Sequence, residues 1–130
     1  MEPTQSHTQC INEAFDHDPH VVIFCTSVLS TAKVLNACPK LMLGGRLVVD
    51  VLSVKEYPKT LLLAELPAAA DILCTHPMFG PQSGKGGWQG LPFVYEKVRI
   101  SSPRGATICE EFLRIWSDAG CRMEPARCRM

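Results

Sequence analysis

His76 lies in the run Cys74-Thr75-His76-Pro77, where the apolar stretch "DILC" gives way to chain rich in glycine and proline. An imidazole with an ordinary pKa near ~6.5 is mostly neutral in a neutral compartment and can take a proton from an alcohol. Two other short apolar runs end in hydroxyl residues: "VVIFC" is followed by Thr26 and Ser27, and "LVVDVL" by Ser53, with Lys55 just beyond. Hydroxyls in such places bind a phosphate or ribose or orient a substrate alcohol. They equally cap the helix that follows, and a cap and a ligand contact can coexist. On that plainer reading Ser53 is a cap, Lys55 a solvated charge and His76 a polar residue that only begins a loop.

The elements around these residues decide whether they meet. "VVIFC", Val21 to Cys25, is a short β-branched and aromatic run of the kind buried on both faces of a parallel sheet. In "TSVLSTAKVLNACPKLM", Val28, Leu29, Ala32, Leu35 and Ala37 recur at helical spacing before Pro39. Leu47 to Leu52 is a second strand, "VKEYPKTLLLAELP" a helix with Pro58 in its first turn and Pro67 closing it, and "ADILCT" a third strand. Strand, helix, strand, helix, strand predicts an α/β fold with a parallel sheet and right-handed crossovers. Ligands of such sheets bind beyond the carboxyl ends of the strands, where Thr26, Ser27, Ser53 and His76 all fall. Farther on, "FVYEKVRIS" alternates as a strand and "TICEEFLRIWSDAG" is a helix with Ile108, Phe112, Ile115 and Trp116 on one face. "CRMEPA" suggests a last short strand. Residues 1–20 are polar, with a short helix around Ile11 to Phe15.

The 130 residues suit one domain. Thirteen basic and thirteen acidic side chains cancel with no basic stripe, which argues against a nucleic-acid partner. No apolar segment approaches the ~18 residues that span a bilayer, and the start shows no secretory or transit signal, so the expectation is a soluble intracellular protein without a membrane partner. Seven cysteines without a Cys-x-x-Cys pair suggest free thiols in a reducing compartment and no metal site, with Cys25 and Cys74 as small buried hydrophobes. "GPQSGKGG" fails the P-loop test, because three residues separate Gly80 from Gly84 and Lys85 precedes a glycine. It reads as a mobile loop over the crevice, or as a plain surface loop.

"FCTSVLST", "VVDVLSVKEYPKTLL" and "DILCTHPMFGPQSGKGGWQGLPFVYEKVRI" closely resemble plant-type arogenate dehydrogenase, in the TyrA family that also holds the prephenate dehydrogenases. The likeness runs from about Val21 to Met123. It implies an NAD(P)-binding Rossmann domain followed by a helical domain that completes the substrate site and makes a homodimer. The implied chemistry is NADP-dependent oxidative decarboxylation of arogenate, or of prephenate, by hydride transfer, with NAD a possible cofactor and the chloroplast the implied location. The resemblance makes His76 the catalytic base and Ser53 the residue that orients the substrate hydroxyl. By the same likeness Thr26 and Ser27 lie along the cofactor, and Gly80 with the loop after it lies beside the substrate.

Against that pattern, no G-x-G-x-x-G occurs, and the helical domain with its carboxylate-binding arginine has no counterpart. The expectation is a poorly defined segment 1–20, a partial NAD(P)-binding domain over 21–125 with an incomplete Rossmann-like sheet, and a tail 126–130. Such a chain is expected to be weak or inactive alone, and its first strand to be an open sheet edge. The competing reading is a non-catalytic half domain that binds a full-length relative.

Overall fold

A computed structural model describes residues 11–53, 55–80 and 82–126. Five strands form one sheet in the order β1 (Val21–Phe24), β2 (Leu47–Asp50), β3 (Asp71–Pro77), β4 (Pro92–Arg99), β5 (Arg122–Pro125). The first three are parallel, in the register Val21 to Leu47 to Asp71. β4 is antiparallel to β3, and β5 is parallel to β4. The three strands expected to form a parallel sheet do so, and β4 makes the whole sheet mixed. The segment between β3 and β4 carries no helix to take the chain back across the sheet, so β4 can only return beside β3 in the opposite sense.

Side chains alternate between two cores, which is why the strands read as continuous apolar runs. Phe24, Val48, Ile72 and Cys74 face helices α1 (Thr31–Ala37) and α2 (Glu56–Glu65), through Leu35 and Leu62. Leu47, Val49, Leu73 and Phe93 face α3 (Pro103–Asp118), through Ile108, Phe112 and Leu113. Phe15, on the helical stretch 11–15, joins the first core. Arg46 pins that stretch from its guanidinium, which donates to Asp18 Oδ1 at 2.8 Å and to the Met42 carbonyl at 2.7 Å, with the Phe15 ring centroid 5.3 Å away. Residues 1–10, within the segment expected to be poorly defined, and 127–130 of the expected tail lie outside the described residues.

Local chemistry moves several boundaries. α1 begins at Thr31 because Ser27 ties up the preceding turn, so Val28 and Leu29 lie exposed instead of forming a helical face. α3 begins at Pro103, earlier than its apolar pattern, because the Ser102 hydroxyl accepts the Gly105 amide at 2.9 Å and proline suits the first turn. The buried face of α3 is Ile108, Cys109, Phe112 and Leu113, with Ile115 turned outward and 62% exposed. Cys25 is exposed rather than buried, since β1 ends at Phe24.

Candidate active site

β3 runs through Pro77, so His76 is held by strand pairing opposite Val94 rather than beginning a loop. The chain after β2 carries Ser53 out to solvent at the same sheet end. Ser53, His76, Met78, Phe79, Gly80 and Ser83 line one open crevice of about 530 Å³, with Val51, Leu52 and Pro77. The structure thus brings together three of the residues singled out from sequence: His76, Ser53 and Gly80. His76 is half-buried, and its pKa lies below the ordinary 6.5, first because burial disfavours the imidazolium and then because of the positive charge of Lys55. A neutral, half-sheltered imidazole beside a free-standing hydroxyl can accept a proton from an alcohol placed between them.

Between the ends of β2 and β3, next to the residues that line the crevice, is a buried ion pair that sequence reasoning missed. Lys55, expected as a solvated charge, is 6% exposed and donates to Asp50 Oδ2. It also donates to the Thr75 carbonyl at 2.5 Å. Asp50 Oδ2 in turn accepts the Leu52 amide at 3.1 Å, and the Thr75 hydroxyl donates to the Asp50 carbonyl at 2.6 Å. Lys55 stands at the N-cap position of α2 with no side-chain cap bond, so Ser53 does not cap that helix. The available signal was Asp50 itself: a carboxylate ending the run "LVVD" must be paired if the strand is buried. Cys74 is a neutral filler, its thiol pushed well up, first by burial and then by the Asp50 charge.

The described residues of the glycine-rich loop make aromatic and backbone contacts. Its Trp88 stacks on Trp116 of α3 at 5.1 Å, Trp116 stacks on Phe93 at 4.6 Å, and Phe79 lies 5.5 Å from Trp88. The Gly84 amide donates to the Gly80 carbonyl at 2.9 Å, and the Gly80 amide to the Ser83 hydroxyl at 2.8 Å. A Cβ on Gly84 would meet the Gly80 carbonyl oxygen at 3.2 Å, whereas one on Gly80 would meet nothing within 4 Å. The tightly placed glycine of this wall is Gly84.

Thr26 and Ser27 lie at the same sheet end but do not line the crevice. Thr26 shares a 2.8 Å hydroxyl bond with Thr31, and the Ser27 hydroxyl donates to Ser30 at 2.9 Å. Thr26 borders a separate apolar hollow of about 200 Å³ beside β1, with Val22, Ile23, Phe24 and Cys25. Both hydroxyls are thus engaged within the turn that leads to α1, and no G-x-G-x-x-G occurs in the sequence.

Over residues 4–123 the chain matches the family described as "Prephenate dehydrogenase, nucleotide-binding domain". It belongs to the prephenate dehydrogenase family. Relatives of this prephenate dehydrogenase domain include two proteins of Arabidopsis thaliana. It is 53% identical over 115 residues to "Arogenate dehydrogenase 2, chloroplastic", covering 87% of the chain and 32% of the relative. To "Arogenate dehydrogenase 1, chloroplastic" it is 50% identical over 125 residues, covering 95% of the chain and 20% of the relative. The chain thus spans about a third or less of the length of these relatives. Prephenate dehydrogenase from Aquifex aeolicus has the same fold, with a TM-score of 0.64 at 18% identity over 89% of this chain and 42% of that one. A second structure of that protein, in complex with hydroxyphenyl propionate and NAD+, gives 0.64 at 19%, over 89% and 41%. The expected Rossmann-like α/β class agrees with this likeness. Among the described residues no helix is long and apolar enough to cross a membrane.

Proposed function

We propose that this domain carries the proton-accepting half of an arogenate dehydrogenase site, which oxidises and decarboxylates arogenate with NADP. One observation carries the reading: His76 and Ser53 stand on neighbouring strand ends in one crevice, with the imidazole biased toward its neutral form. Ser53 orients the ring hydroxyl of the substrate, and His76 takes its proton. A bound nicotinamide supplies the hydride acceptor. As the hydride leaves, the carbonyl forms; loss of carbon dioxide then pushes its electron pair onto the carbonyl oxygen, and that phenolate takes back the proton held on His76 to become the phenol. Gly80 and the loop after it wall the substrate side, while Thr26 and Ser27 lie toward the cofactor. The preference for arogenate and NADP over prephenate and NAD, a dimer made through a second domain and a chloroplast location rest on the plant relatives.

The 130-residue chain alone is expected to show little or no turnover, because it offers no cradle for the pyrophosphate. The test is a chimera in which residues 21–123 replace the matching stretch of Arabidopsis thaliana arogenate dehydrogenase 2. The chimera should reduce NADP with arogenate, faster than with prephenate, and the isolated chain should not. A chimera that folds and binds NADP but turns over neither acid would contradict the assignment.

A second reading, a half domain that binds a full-length relative, is favoured by the open edge of β1, where Ile23 is 42% exposed beside the apolar hollow. Co-elution of the chain with full-length arogenate dehydrogenase would support it, and separate elution at micromolar concentration would oppose it.

A further inference from the structure

The ion pair of Lys55 and Asp50 does more than join two strand ends. Asp50 fixes the Leu52 amide, one residue before Ser53, and Lys55 fixes the Thr75 carbonyl, one residue before His76. The two residues proposed for the chemistry therefore each follow directly from a group that the pair holds. With Lys55 6% and Asp50 0% exposed, solvent screens this link weakly. Lys55 and the Leu52 amide hold the Asp50 carboxylate through Oδ2, with the Cys74 thiol as its neutral neighbour.

We propose that Lys55, paired with Asp50, is a positioning residue that sets the spacing of Ser53 and His76 and keeps a positive charge beside the base. The proposal deepens the reading of His76 as the proton acceptor and rests on it. Strand alternation and register put Asp50, Cys74, His76 and Glu96 on one side of the sheet, facing α2 with Lys55 and Lys59. Lys59 and Glu96 pair with each other at 2.8 Å, and Cys74 stays a neutral thiol. Lys55 and Asp50 remain as the charges acting on His76, of opposite sign, with the cation the stronger influence. An ammonium there opposes protonation of the imidazole, so the base stays available to lower pH.

The experiment is an NMR pH titration of the His76 ring in the 130-residue chain, assigned by its loss in His76→Gln. In Lys55→Met the His76 pKa should rise, and in Lys55→Arg it should return toward the parent value. The paired variant Lys55→Gln with Asp50→Asn, which keeps shape and polarity without charge, provides the reading should Lys55→Met fail to fold. There too the pKa should rise, with the Leu52 and Thr75 amide shifts nearly unchanged. A His76 pKa that stays at the parent value in the folded paired variant overturns the proposal. So does a folded Lys55→Met whose Leu52 and His76 amide shifts stay at the parent values, since the pair would then not set the spacing. The titration needs neither substrate nor turnover, so its failure is distinct from a failure of the catalytic assignment.

Discussion

At the scale of single residues, burial and charge decide what His76 can do. Its pKa is lowered by burial first and by Lys55 second, so the neutral base persists below the ordinary 6.5. The acid limb of kcat/KM in the chimera should accordingly fall below pH 6.5, and a limb above it would contradict the lowered value. Stability follows the same sign. A histidine whose pKa is depressed by folding contributes stability that is complete above its unfolded value and is lost as pH falls toward the folded one. The urea stability difference between the parent chain and His76→Asn should therefore change on acidification below 6.5, with the parent losing more. Lys55→Met leaves a buried carboxylate without its cation and should cost about 3–5 kcal/mol in urea unfolding. A loss below about 1 kcal/mol would mean that the pair is open to water. His76 and Ser53 were visible in the sequence because each follows an apolar run. Lys55 was not, because a lysine two residues after a serine looks solvated until the partner that buries it is known.

At the scale of elements, the sequence revealed each strand and helix, while ends and pairing escaped it. Alternation marked β4 as a strand but does not report direction, so its antiparallel return beside β3 was not legible. Ends depend on single hydroxyls, as at Ser27 before α1 and Ser102 before α3. Gly105 reports how closely α3 approaches β3: a Cβ there would lie 1.9 Å from Asp71 Oδ2, whose other oxygen is held by the Ser101 amide at 2.8 Å and hydroxyl at 2.7 Å. Gly105→Ala should cost about 1–3 kcal/mol, measured as a shift in the urea midpoint, whereas Gly80→Ala should be nearly silent. The aromatic stack escaped notice because Trp88 and Trp116 are 28 residues apart and meet only when the loop folds back on α3. Trp88→Ala should free the loop and speed proteolytic cleavage between residues 80 and 90. Unchanged cleavage would mean that the loop is held by its backbone bonds.

At the scale of the whole molecule, the sheet end offers two unlike surfaces: an open polar crevice at β2 and β3, and an apolar hollow at the edge of β1. The crevice holds an imidazole and a hydroxyl, and the proposal assigns both to the proton transfer of the reaction. The chain spans about a third or less of its plant relatives' length, so the proposed turnover is measured in the chimera. The most direct measurement is kcat of the arogenate dehydrogenase 2 chimera carrying His76→Asn, with NADP affinity measured alongside. A fall of about 10²–10⁴-fold in kcat with NADP affinity kept is the expected result; turnover equal to that of the parent chimera would contradict His76 as the base.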